Sequence, residues 1–160
     1  MPNSCSNVLS ITGPPKVLER FQSASKSGDA VLSFDSLCPL PDQGLSNEEK
    51  HSWILQNWGT WLVYPALLVT SPVKPLKRLV YEFVTAWSPP IALFEHVAPE
   101  YPELKFELRF CEPTRNICGH VTVHYVSFKG ESDLECTHSI SDYSRFRILS
   151  ARFGATVERL

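Results

Sequence analysis

Apolar and polar residues alternate most cleanly over residues 104–111. Leu104, Phe106, Leu108 and Phe110 stand against Lys105, Glu107 and Arg109, the period-two pattern of a strand with one buried and one wet face. The same period runs over Ser4–Thr12, with Asn7, Leu9 and Ile11 on one face and Val8 and Ser10 on the other. Over residues 79–87 apolar side chains fall on both faces, which predicts a central strand. Residues 119–128, with Val121, Val123 and Tyr125 on one side, predict another strand. Lys129-Gly130 turns the chain into a shorter one over 134–140. Residues 60–70 are rich in Trp, Leu, Val and Tyr and read as a strand whose pairing Pro65 limits.

Helix signals fall between these strands. Pro14 and Pro15 suit a first helical turn, and Val17, Leu18, Phe21 and Ala24 follow at helical spacing with Gly28 as the stop. Ser46 and Glu49 fit a capping box that opens a helix over Asn47–Asn57, ending near Gly59. Ser88-Pro89-Pro90 starts a helix with Ile91, Phe94, Val97 and Ala98 as its buried stripe, and Pro99 ends or kinks it. Residues 34–41 hold two prolines and no helical period, and are expected to be extended. Asp142 caps a final helix over 142–160. Its seam of Phe146, Leu149, Phe153, Val157 and Leu160 is flanked by Arg145, Arg152 and Arg159. That seam has two destinations, the chain's own uncovered sheet face or a second copy or partner, in which case Arg145, Phe146, Leu149, Arg152 and Phe153 form the interface.

The order strand, helix, strand, strand, helix, strand is the split βαβ order. The expected fold is α+β, a ferredoxin-like βαββαβ core with helices on one face of an antiparallel sheet, plus an extra strand or hairpin and a C-terminal helix. Residues 1–128 form the core domain in this reading, and 129–160 an extension packed on it. Five runs then occur in order: MPNSCSNVLSITGP at the start, FDSLCPLP, NWGT from Asn57, TAWSPPI from Thr85, and YPELKFELRFCEP from Tyr101. Together they make residues 1–120 resemble the YubB ferredoxin-like domain family of plasmids, phages and bacterial genomes. The chain departs from that pattern at Trp61, where the family has lysine. It departs again at residues 114–118, where the family is glycine-rich, and at Pro99. The resemblance implies a ferredoxin-like fold without an iron–sulfur cluster, and carries over no catalytic residue.

Composition narrows the class. The chain has 160 residues, 43% hydrophobic and 20% charged, which suits one folded domain. No apolar run reaches the ~18 residues of a membrane span, and the amino end has no signal-peptide character. Net charge is −2, against a surface devoted to nucleic acid. Five cysteines, an odd number at low density, read as free, mostly buried thiols in a reducing cytoplasm.

Candidate chemistry is sparse. Asn57, Trp58, Thr60, Trp61, Trp87 and Ser88 gather in the two most distinctive motifs. They form a recognition pocket with indole walls, or else core-filling tryptophans and a proline-set turn. Backbone N–H groups at the junction after Trp87 could hold an anion. Cys118, His120, His124, Cys136 and His138 could meet as a metal site if the hairpin loop has three residues. A two-residue loop puts the two Cys-x-His sets on opposite faces. Their spacing matches no recurrent zinc pattern, so no metal and no cofactor are expected. Tyr81, Phe83 and Phe106 could imitate the base-stacking aromatics of RNA-recognition domains. No nucleophile signature and no glycine-rich phosphate loop occur. The reading is a non-enzymatic, cytoplasmic interaction module of mobile-element type, a monomer or homodimer with a protein partner and no membrane. Single-stranded nucleic-acid binding is the alternative, and a metal-dependent or hydrolytic enzyme the third.

Overall fold

The computed structural model describes residues 3–41, 44–62, 65–69, 75–115, 117–128 and 131–142, with 126–128 and 131–142 given by their backbone pairing. Strand β1 spans Ser4–Thr12, helix α1 Pro15–Ala24, α2 Phe34–Leu37, α3 Asn47–Asn57, β2 Leu67–Leu68 and β3 Arg78–Ala86. Helix α4 follows at Ile91–Val97, then β4 at Lys105–Glu112, β5 at Ile117–Phe128 and β6 at Glu131–Asp142. The strands form one sheet in the order β2-β3-β1-β4-β5-β6, and every pairing is antiparallel. The first four strands are the ferredoxin-like set. β3 splits the β1–α1–β2 unit, and β1 splits the β3–α4–β4 unit. The β5–β6 hairpin extends the sheet beyond β4.

Period-two burial decides which face the helices cover. Cys5, Asn7, Leu9 and Ile11 of β1 are buried, as are Leu79, Tyr81 and Phe83 of β3 and Phe106, Leu108 and Phe110 of β4. Leu18 and Phe21 of α1 and Leu93, Phe94 and Val97 of α4 join the same core. Phe21 meets Tyr101 and Phe106 edge-on, at centroid distances of 5.3 and 5.6 Å, and Phe94 stacks on Phe106 at 5.7 Å. Gly119 lies opposite Phe110, and a Cβ there would run into that ring, so glycine lets the phenyl group lie across the neighbouring strand.

Several expectations change. Residues 34–41 open with the turn α2, because the Ser33 hydroxyl accepts from Ser36 N–H at 3.2 Å and Asp35 accepts from Leu40 N–H at 2.9 Å. Helix α1 ends before Gly28. Ser25 is its C-cap, fully buried, with its hydroxyl 3.2 Å from Gln22 O and its carbonyl accepting from Ser33 N–H at 2.7 Å. Ala24 is exposed rather than part of the stripe. Ile91 is only partly buried, and Leu93 takes its place. Among the described residues, the strand expected over 60–70 comes down to Leu67–Leu68 and an isolated Leu62–Thr85 bridge. Leu62 faces Thr85 while Leu67 faces Glu82, so the outer chain carries two more residues than its partner, with Pro65 among them.

At the other edge β6 is longer than expected and runs to Asp142, which pairs with Ile117; the helix expected over 142–160 falls beyond it, outside the described residues. Residues 143–160, with the proposed interface at Arg145, Phe146, Leu149, Arg152 and Phe153, lie outside the described residues. Cys111 and Cys118 are not free thiols. They face each other across the β4–β5 hairpin, 4.1 Å apart at Cα, and form a disulfide. Buried Glu112 sets the hairpin turn by accepting from Thr114 N–H and Arg115 N–H at 3.0 and 2.7 Å. Among the described residues no helix is long and apolar enough to cross a membrane.

Leu108 is 2% exposed at the centre of this core. Leu108→Ala is expected to cost about 2–5 kcal/mol in urea titration; a change below about 0.5 kcal/mol would contradict the assigned face.

Candidate functional site at the β3–α4 junction

The two distinctive motifs meet in space because a chain of buried polar groups ties them together. Asn7 sits at an inward position of β1, 2% exposed, and donates through Nδ2 to Cys5 O and Thr85 Oγ1, both at 2.8 Å. The Thr85 hydroxyl donates on to Ser88 O at 2.7 Å. Ser88 Oγ donates to Gly59 O at 2.9 Å, and Thr60 Oγ1 donates to Ala86 O at 2.5 Å. Among the described residues, no buried side-chain nitrogen or oxygen lacks a partner. Buried hydroxyls and amides are costly unless paired, so the network fixes the loop after α3 against the end of β3.

The six candidate residues divide by this network. Asn57 Nδ2 donates to Trp53 O at 2.8 Å and closes the last turn of α3. Trp58 is a packing residue. It meets Phe34 and Trp53 edge-on at 6.0 and 5.7 Å, and its Nε1–H donates to Cys38 O at 2.9 Å. Thr60 and Ser88 belong to the polar chain. Gly59 takes φ 80, the left-handed conformation of a helix C-terminus that glycine adopts without strain.

Trp61 and Trp87 remain. β3 stops at Ala86, one residue short of the expected end, and Trp87 turns outward. Ser88 N–H closes a three-residue turn onto Ala86 O at 2.8 Å, with Trp87 at its centre at φ 64. A bulky residue in this region costs about 1–3 kcal/mol. Trp87 is 42% exposed, and its ring lies 5.5 Å from that of Trp61 at an interplanar angle of 66°. Trp61 also meets His51 of α3, at 4.6 Å and 71°. The residues that sequence reasoning missed are Asn7, Thr85 and His51. Asn7 carried a signal, an amide at an inward strand position; His51 carried none.

Other candidates separate. The junction offers few donors to an anion, since Trp87 N–H goes to Asn3 O, Ser88 N–H to Ala86 O and Ile91 N–H to Pro89 O, and prolines fill the gap. Tyr81, Phe83 and Phe106 are buried under the helices, so they cannot stack bases on the sheet. β5 and β6 pair Phe128 with Glu131, the register of a two-residue loop. Cys136 and His138 therefore pair with Val123 and Val121, out of step with Cys118, His120 and His124.

Burial pushes the Cys5 thiol up to about 12, against an opposing hydrogen bond from Thr85. Burial also raises Cys38. Neither is a ready nucleophile at neutral pH.

No curated protein and no solved structure matches the chain.

Two measurements test this geometry. Thr85→Val takes one acceptor from the Asn7 amide, which keeps Cys5 O, and frees Ser88 O, and is expected to cost about 1–3 kcal/mol by urea titration; a neutral result would mean the chain of hydrogen bonds does not form. The folded state favours the neutral Cys5 thiol, so this stabilisation is complete below the ordinary value of 9.0 and is lost as pH rises from there towards 12. Stability should fall as pH rises above about 9, and Cys5→Ala should reduce the fall, leaving the contributions of Cys38, Tyr81 and Tyr101, which burial also raises. An unchanged slope in Cys5→Ala would refute the burial of this thiol.

Residues 73–144 match a family model described as the ferredoxin-like domain in Api92-like protein, so the part of the chain from β3 through β6 is similar to that ferredoxin-like family.

Proposed function

We propose that this protein is a non-enzymatic interaction module that engages a protein partner through the Trp61–Trp87 corner. One observation carries the reading. Trp87 is held outward at φ 64 and 42% exposed, by a polar network that would hold a glycine there with less strain. Strained backbone kept at an exposed aromatic residue marks binding surfaces more than cores, and tryptophan is enriched among residues that dominate interface energies. The two described free thiols are held protonated, which favours binding over nucleophilic chemistry. The mobile-element setting in this proposal rests on the resemblance to the YubB family. The cytoplasmic setting rests on the low cysteine density and on the free thiols of Cys5 and Cys38, while the Cys111–Cys118 disulfide counts the other way.

The test uses the full chain, immobilised, with Trp87→Gly beside it. The variant relieves the positive φ while losing the ring contact with Trp61, so its stability is expected to stay within about 1 kcal/mol of the wild type. The wild type should retain a defined protein saturably, and Trp87→Gly should lose about 2 kcal/mol of that affinity, roughly thirtyfold. Equal retention by both chains would overturn the assignment of the surface.

A further inference from the structure

The chemistry of the recognised group follows from what the corner offers and what it has already used. The hydroxyl donors of Thr60, Thr85 and Ser88 and the backbone donors of Trp87 and Ser88 all end on carbonyl oxygens of the protein itself. A carboxylate or phosphate would find these donors occupied. Trp87 and His51 are exposed and Trp61 partly so, and the rings are not parallel. Trp61 stands at 66° to Trp87 and at 71° to His51. A flat ligand can stack on only one wall of such a corner. A compact, nearly spherical group touches two walls together.

Indole faces carry the negative end of the ring quadrupole, and tryptophan is the strongest aromatic partner of a cation. The short 3-residue turn at Trp87 fixes one wall through the backbone, and the bonds from Ala86 N–H to Trp61 O at 3.0 Å and from Thr60 Oγ1 to Ala86 O brace the other. The corner is therefore preorganised, with little ordering left to oppose binding.

We propose that the Trp61–Trp87 corner, with His51 beside it, binds a compact ammonium group, methylated or quaternary, presented by a partner protein. The inference rests on the interaction reading above and names the group recognised.

The probe is tetramethylammonium chloride, titrated into the full chain at constant ionic strength, with tert-butanol as the neutral counterpart of similar shape. The readout is the indole N–H resonances of Trp61 and Trp87, assigned with the single Trp→Phe variants. The expected result is saturable movement of both signals, with affinity for the cation about tenfold above that for the alcohol. Trp87→Gly should weaken the cation response by about tenfold, and Trp87→Phe by less. Equal responses to cation and alcohol, or no saturable response to the cation, would overturn the ammonium assignment. If Trp87→Gly still loses the protein partner in that case, only the ligand class falls; if it retains the partner too, the surface falls with it.

Discussion

The buried run from Asn7 through Thr85 to the Ser88 carbonyl is the constraint on which the rest of the junction depends. Asn7 and Thr85 lie on paired strands, both turned towards the helices, where water cannot satisfy them. Each hydrogen bond contributes only about 1 kcal/mol net, but leaving one partner unmet costs about 1–3 kcal/mol. The asymmetry makes the arrangement all-or-none. Once Thr85 is set, Ser88 is placed, Ser88 holds Gly59, and Thr60 is brought onto Ala86. Two segments far apart in sequence thus share one rigid corner. A network of this kind can sustain the left-handed backbone of Trp87, which an isolated turn would relax.

The sheet around this corner was largely legible in the sequence. Alternation over β1, β3, β4 and β5 gave the inward faces, since a side chain at every second position must bury together. The Ser46 capping box forms in both directions, with Ser46 N–H donating to Glu49 at 2.7 Å and Glu49 N–H to Ser46 Oγ at 3.2 Å. That signal is local, so sequence carries it whole. The one-turn helix α2 was not legible, because its cap competes with two nearby prolines and Phe34 is buried against Trp58 and Phe83, both distant in sequence. Strand β2 failed for a related reason: apolar, β-prone composition sets propensity, but Pro65 and a mismatch in register decide what pairs.

The candidate site was legible by place and not by role. NWGT and TAWSPPI do meet, yet Asn57, Trp58, Thr60 and Ser88 are engaged in holding them together. Only contacts distant in sequence distinguish a tryptophan that fills the core, such as Trp58, from one turned out beside it, such as Trp87. The cysteines teach the same point. Cys111 and Cys118 face each other because the β4–β5 register makes them partners, and nothing in their count or spacing fixed that register.

The central claim is that the polar network holds Trp87 in its strained, outward conformation. A double-mutant cycle between Thr85→Val and Trp87→Gly, read by urea unfolding, tests it most directly. With the network intact, glycine relieves strain; with the network broken, the backbone at Trp87 relaxes by itself and glycine has less to relieve. The account predicts that Trp87→Gly is more favourable, by upwards of about 0.5 kcal/mol, in the wild-type background than in Thr85→Val. Effects that add within about 0.3 kcal/mol would show the two sites to be independent and would contradict the account.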